Sequence, residues 1–286
     1  MLPQMDEDME ATNWLQKLLM FLDGGDEPPH WKGGFVRIPK EQSGQFWNLL
    51  CGVLTHKKRR NGLELMLDKG FLACVFLEVA RLVGVLQPEA FHPEGDAFRH
   101  TILTVANLKN PTCAQAVAAL LHDVAKPLTF AITDRIRFNR HNAFGVEMIR
   151  SLARRLLMPP HITELATFVC KNHMLLLGVR KMRLPRLARL FSSPHFESLL
   201  KVWEADIAAS HGDIEDLCYV RKVARILRRI PAPKRWFHPL SVAAARKLGL
   251  SADEAVRAVR EIDLLALQGR VKTKQEAINH ILRHRK

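Results

Sequence analysis

A histidine and an aspartate stand side by side in an apolar run, Ala119-Leu120-Leu121-His122-Asp123-Val124-Ala125-Lys126. An ionised carboxylate in such a run is costly to desolvate unless another charge holds it, and a metal ion is the usual candidate. Further residues of ligand type lie on both sides: His100 in Phe98-Arg99-His100-Thr101, then His141, His173, and Asp206 in Trp203-Glu204-Ala205-Asp206-Ile207. Imidazoles and carboxylates together suit borderline or hard divalent ions, which admits Mn, Ni, Co, Fe, Zn or Mg. Six protein ligands crowd one ion, whereas two ions about 3.5–4 Å apart and bridged by a carboxylate fit better. Asp123 is the expected bridge. Such a pair binds a substrate phosphate and generates hydroxide from water. Lys126 follows Asp123 by three residues, so the same helix face aims its ammonium at a phosphate oxygen. The plainer reading of Lys126 is a solvated lysine near a helix end. For His92, His161, His195, His238 and His280 the plain reading, surface or satisfied core, is preferred.

Bringing these residues to one centre requires several elements, and the hydrophobic rhythm supplies helices. Phe46, Leu49, Leu50, Val53 and Leu54 follow the i, i+3, i+4 spacing. Leu63, Leu65, Met66 and Leu67 lead to a stop at Gly70, and an apolar stretch over 71–86 follows. Residues 87–96 read as a loop, with His100 at the start of the next helix. Pro111-Thr112 opens the helix expected to carry His122 and Asp123, and Pro127 closes it. Residues 130–138 read as a loop or short extended piece. His141 is expected just before a helix over 144–157, His173 at the end of one over 161–173, and Asp206 within one over 196–209. The expected organisation is an irregular, loosely packed extension over 1–40 with a short amphipathic helix at 14–22, then a helical segment over 41–94. A metal-binding domain over 95–230 and a small helical tail over 231–286 complete it, with Pro231-Ala232-Pro233 as the boundary.

Composition agrees with an all-α protein. Of 286 residues 48% are hydrophobic, enough for a sizeable core, and Leu, Ala, Arg and Lys all suit helices. The formal net charge of +14 suggests a polyanionic partner such as RNA, DNA or an acidic membrane surface. It is concentrated in three groups: His56-Lys57-Lys58-Arg59-Arg60; Arg180, Lys181, Arg183, Arg186 and Arg189; and Arg221, Lys222, Arg225, Arg228, Arg229, Lys234 and Arg235. Each group alone also reads as a solvated helix face. The five cysteines, Cys51, Cys74, Cys113, Cys170 and Cys218, are scattered, so reduced and mostly buried thiols and a cytoplasmic setting are expected. The acidic N-terminus is unlike a signal peptide, and 71–86 is too short and too charged to span a bilayer, so no membrane partner is expected.

The order His100, His122-Asp123, Asp206 resembles the signature of the HD superfamily of metal-dependent phosphohydrolases, and His141 and His173 match the extra histidines of its two-metal members. The resemblance covers roughly residues 95–215. It implies an all-α HD-domain helical bundle with flanking helical segments, and hydrolysis of phosphomonoesters, cyclic phosphodiesters or nucleotides. On it, His100, His122, Asp123 and Asp206 hold a first metal; His141 and His173 hold a second, with Asp123 shared; Asp123 and Lys126 are the catalytic residues.

A further resemblance is to the C-terminal, RNA-binding and HD half of bacterial CCA-adding tRNA nucleotidyltransferases. It rests on Gly62-Leu63-Glu64-Leu65-Met66-Leu67, Val83-Gly84-Val85-Leu86-Gln87, Trp203-Glu204-Ala205-Asp206, Lys247-Leu248-Gly249-Leu250 and the run from Ala266 to Ala277. Those enzymes begin with a polymerase head, for which the roughly 40 residues before the shared region leave no room, and Gly33-Gly34 has no Asp-x-Asp downstream. The chain is therefore not expected to add CCA by itself. Three functions remain in play: a phosphomonoesterase or 2′,3′-cyclic phosphodiesterase; a tRNA- or RNA-binding accessory module beside a separate nucleotidyltransferase head; and a nucleotide hydrolase of the guanosine-tetraphosphate or deoxynucleotide type.

Overall fold

A computed structural model of the chain describes residues 7–34, 36, 38–182, 187, 190–210, 214–228 and 239–284. Among these the fold is all-α, its one sheet being a two-stranded hairpin, and no helix is long and apolar enough to cross a membrane. The Pro231–Pro233 boundary, His238, and Arg183, Arg186, Arg189, Arg229, Lys234 and Arg235 of the basic groups lie outside the described residues. The chain forms two compact units that alternate along the sequence. One comprises Met1–Met174 with Glu197–Ile214, the other Leu175–Phe196 with Glu215–Lys286.

The first unit begins with α1 (Glu7–Leu22), α2 (Ser43–Thr55) and α3 (Arg59–Asp68). Of the amino-terminal segment expected to be loosely packed, the stretch 11–22 is instead part of the core. Ala11, Trp14, Leu15, Leu18 and Leu22 form one helical stripe, all buried, and Trp14 stacks on Phe71 with ring centroids 4.4 Å apart. Gly70 takes the left-handed conformation (φ +80°) after α3 and turns the chain into α4 (Phe71–Val75) and α5 (Leu77–Ala80). The apolar stretch 71–86 is thus not one helix: Phe76 leaves helical geometry at φ −121°, ψ 57° to bury its ring.

α6 (Ala97–Asn107) and α7 (Cys113–Leu121) form the middle of this unit. Asp96 caps α6 by accepting from the Arg99 amide, and Thr112 with Gln115 forms a capping box on α7. Every α7 residue from Gln115 to Leu121 is buried, and its small alanines let α2, α6 and α10 (Pro160–Asn172) pack around it. Gln115 Nε2 also donates to Ser198 Oγ at 3.0 Å, tying α7 to α11 (Phe196–Ala209). α8 (Lys126–Thr129), β1 (Phe130–Ile132), β2 (Ile136–Phe138) and α9 (His141–Arg155) lie between α7 and α10 in sequence. The hairpin is antiparallel, with Phe130 opposite Phe138.

The structure bears on two expectations, about charge and about sulfur. Part of the basic block at 56–60 serves the fold. Arg59 donates through Nε to the Val105 carbonyl at 2.8 Å and through Nη2 to Ala106 and Leu108, satisfying carbonyls at the end of α6. Arg60 pairs with Glu64 one turn on, and His56 with Asp23. The cysteines are not all thiols: Cys51 in α2 and Cys113 at the start of α7 form a disulfide, with Cα atoms 5.0 Å apart. Helix packing brings them together across 62 residues, which no spacing motif signals. Cys74, Cys170 and Cys218 are free, and Cys218 is exposed.

In the second unit α12 (Glu215–Arg228) contributes Glu215 and Asp216, which both bind Arg180, so that member of the second basic group is also paired. The tail folds as α13 (Val242–Lys247), α14 (Ala252–Leu267) and α15 (Lys274–Arg283). They share an apolar core of Leu240, Ala245, Ala255, Ile262, Ala277 and Ile281 among others.

Candidate metal centre

The side chains singled out in the sequence meet within the first unit. His100 lies in the first turns of α6. α7 does not continue through His122 and Asp123 as expected. It stops at Leu121, and His122 engages the Ala119 carbonyl through Nδ1 at 2.7 Å. Pro127 does not close that helix; it sits in the first turn of α8, where its missing N–H costs no hydrogen bond. α9 begins at His141, three residues earlier than expected, and His141 Nδ1 engages the Phe138 carbonyl at 2.8 Å. His173 ends α10, its Nδ1 on the Cys170 carbonyl at 2.8 Å. Asp206 comes from α11.

With each Nδ1 held, each Nε2 faces inward. His141 Nε2, His173 Nε2 and Asp123 Oδ1 form a nearly equilateral triangle with edges of 3.2, 3.3 and 3.4 Å. On the other side of the same carboxylate, Asp123 Oδ2 lies 3.1 Å from His122 Nε2 and 3.9 Å from His100 Nε2. Asp206 Oδ1 lies 2.8 Å from His100 Nε2 and 3.9 Å from His122 Nε2. The six residues thus fall into two sets, His100–His122–Asp206 and Asp123–His141–His173, with Asp123 between them.

Divalent ions fit this arrangement. His122 Nε2 and Asp123 Oδ1 are buried without a well-formed hydrogen bond, and so is His100 Nε2 despite its closeness to Asp206. Buried polar atoms are normally satisfied, so a set of them converging on one place marks a ligand site. Ligand bonds of about 2.0–2.2 Å put donor atoms sharing an ion roughly 3 Å apart, as in the triangle here.

Residues 77–192 match the family model described as the HD domain. This segment is an HD domain. Asp206 lies beyond the matched residues, yet the geometry joins it to His100. A multifunctional CCA protein of Neisseria meningitidis serogroup C is 34% identical over 140 residues, which cover 48% of this chain and 33% of that protein. A multifunctional CCA protein of Mannheimia succiniciproducens is 29% identical over 190 residues, covering 62% of this chain and 45% of that protein. The chain thus spans less than half the length of these relatives.

Electrostatics set the two sides of the HD centre apart. Burial disfavours a charged His100, but the carboxylates of Asp206 and Glu94 overcome it and raise its pKa to about 9. Asp206 is held below the usual carboxylate range: burial opposes its charge, and His100 outweighs that. Asp123 is also held well below that range against its burial, chiefly by His122 and Lys126. His173 is lowered, by burial first and by its histidine neighbours, with Asp123 opposing. A neutral His173 would be ready to ligate, whereas an ion at His100 would have to take the place of a proton.

Lys126 is buried, against its plainer reading as solvated. Its Nζ lies 2.5 Å from Asp123 Oδ2, donates to Gln87 Oε1, and sits 5.2 Å from the centroid of the Phe138 ring. Gln87, Glu94 and His92 were missed as site residues. Glu94 Oε1 lies 2.6 Å from His100 Nδ1 and 2.9 Å from His92 Nδ1, and the His92 ring packs edge-on against His100. The available signal was an acid two residues from a histidine, His92-Pro93-Glu94, six before His100.

Proposed function

We propose that the chain is a divalent-metal-dependent phosphohydrolase that cleaves phosphomonoesters or 2′,3′-cyclic phosphates. The observation that carries this reading is the set of four imidazoles, each oriented through Nδ1, whose Nε2 atoms converge on the two carboxylates. His100, His122, Asp123 and Asp206 would hold one ion, and His141 and His173 a second with Asp123 shared. Bound ions would lower the pKa of water and polarise the phosphate. Asp123 keeps its charge, and so its bridging capacity, in spite of burial. Lys126 pairs with that carboxylate and, on this reading, would donate to a phosphate oxygen from beside Asp123 Oδ2. Mixed nitrogen and oxygen donors suit Mn, Ni, Co, Fe, Zn or Mg.

The names of the matched relatives favour a second reading, an RNA- or tRNA-binding module working beside a separate nucleotidyltransferase head; an RNA end carrying the scissile phosphate joins the two. A cytoplasmic setting belongs to the same reading. The test is to strip the purified protein of metal and assay p-nitrophenyl phosphate, bis-p-nitrophenyl phosphate, 2′,3′-cyclic AMP and nucleoside triphosphates. Mn, Ni, Co, Zn and Mg are returned in turn, with Asp123→Asn as control. Turnover that depends on metal and disappears in Asp123→Asn supports the hydrolase. Folded protein without turnover under any metal supports the binding module, whose RNA affinity should fall steeply with salt.

A further inference from the structure

We propose that Glu94, from the loop over residues 87–96, is the positioning residue of the first metal set, and that it governs the affinity of that set alone. This rests on the two-ion reading above. Three of the four histidines settle their Nδ1 on a backbone carbonyl three residues upstream: His122 on Ala119, His141 on Phe138 and His173 on Cys170. All three stand at a helix end or start. His100 lies inside α6, where the carbonyl three residues back, that of Ala97, already accepts from Thr101 Oγ1. Its Nδ1 therefore turns to a side chain, the carboxylate of Glu94 at 2.6 Å.

This contact is a hydrogen bond rather than part of a third ion site. At 2.6 Å, Nδ1 and Oε1 stand at the distance of a short charge-assisted hydrogen bond, closer than the donor-atom pairs of the two metal sets, which are 2.8–3.9 Å apart. The pairing fixes which ring nitrogen of His100 carries its proton toward the loop, and leaves Nε2 aimed at Asp206 and Asp123. A carboxylate acceptor also makes the imidazole a stronger donor to metal than a carbonyl does.

The loop is built to hold Glu94 there. Its ends are tied by an isolated bridge between Leu86 and Asp96, by the Ala97 amide on the Val85 carbonyl at 2.9 Å, and by the Gly84 amide on Asp96 Oδ2 at 3.0 Å. Within it the Phe91 and His92 amides donate to the Pro88 carbonyl, and the Gly95 amide to that of His92. The side chain of Glu94 is 5% exposed, and the same Oε1 is shared with His92 Nδ1. Another inward residue of the loop, Gln87, binds Lys126, so one loop supports both a ligand and the lysine of the centre.

The experiment is Mn²⁺ titration calorimetry on the full chain, comparing wild type, Glu94→Gln and Glu94→Ala, with thermal melts to confirm folding. The expected result is a wild type with two classes of site. In Glu94→Ala one class weakens on the order of 10–100-fold while the other keeps its affinity. Glu94→Gln, which keeps an acceptor without the charge, falls between. Unchanged affinities in both folded variants overturn the proposal, and so does equal weakening of both classes. A second measurement stands apart from metal: the proton spectrum should hold a downfield ring N–H resonance from His100 Nδ1 that Glu94→Ala removes. If wild type takes up neither Mn²⁺ nor, in the same titration, Ni²⁺, Co²⁺, Zn²⁺ or Mg²⁺, the hydrolase reading falls. A resonance that then survives Glu94→Ala overturns the orienting role as well, and its loss upholds that role.

Discussion

The two halves of the metal centre hold the same kinds of ligand by different means. The Asp123–His141–His173 half is a compact triangle whose imidazoles are aimed by backbone carbonyls, on helices α9 and α10 that press closely together. At Gly145 of α9, an added Cβ would stand 2.5 Å from Cys170 Sγ of α10. The His100–His122–Asp206 half draws on α6, the end of α7 and α11, has uneven spacings of 2.8 and 3.9 Å, and depends on a loop carboxylate. A ligand aimed by backbone is as rigid as the packing behind it. A ligand aimed by a loop side chain can be tuned by changing one residue that touches no metal.

If the halves are separable, ligand removal should show it with the largest effect of all. His173→Gln and Asp206→Asn are each expected to leave one bound equivalent of metal and one class of site. Hydrolysis should fall in both by more than the roughly 10–100-fold typical of outer partners. Metal analysis after gel filtration, with Asp123→Asn beside them, checks this, since Asp123 faces both halves and its loss should affect both. Loss of both equivalents in Asp206→Asn would show that the first half governs the second and that the comparison is wrong.

How far the sequence reveals this centre follows the same division. Histidine and aspartate in apolar runs are conspicuous, because each must find a partner on burial, and their order along the chain points to one place. The helices that deliver them are visible in the spacing of Leu, Val and Ala. What periodicity does not show is where a helix ends inside an apolar run. The run through Val124 and Ala125 stays apolar, although the helix has ended at Leu121. Nor does it show contacts made by loops or across long separations. Glu94 and Gln87 read as ordinary loop residues until the chain closes over α6. Arg59 reads as part of a phosphate-binding block until it meets the end of that helix, and Cys51 and Cys113 read as independent thiols.

A smaller effect probes the packing behind the second half. Gly145→Ala drives a methyl group into Cys170 Sγ, while the next nearest atoms, on Ala125 and Val124, are 3.7 Å away and tolerate it. Overpacking of this kind costs about 1–3 kcal/mol. It should also spread α9 from α10, and so weaken metal binding at the His141–His173 side without touching the other. Cys170→Ala removes the obstructing sulfur, so the double variant should recover stability and affinity. Denaturant melts and metal titrations on the four proteins form a double-mutant cycle, with a coupling of about 1 kcal/mol or more expected for atoms in contact. Strict additivity would mean that the helices are not held by this contact.

The gentlest probe changes no residue. Behind the second half, the Cys170 thiol is fully buried, with its Sγ 3.7 Å from the Asn142 carbonyl. Burial, and secondarily the charge of Asp123, pushes its pKa well above that of an ordinary thiol. Because the thiolate is the reactive form, Cys170 should resist iodoacetamide at pH 8 in native protein, while the exposed Cys218 reacts readily. Raising the pH to 9 should still leave Cys170 silent. Behind the first half, the sulfur at the start of α7 is sealed differently, in the bond to Cys51, and should label only after reduction. Peptide mass spectrometry of native, reduced and denatured samples separates the cases. Labelling of Cys170 at the rate of Cys218 would mean that α9 and α10 open readily, and the second half would then not be the more rigid of the two.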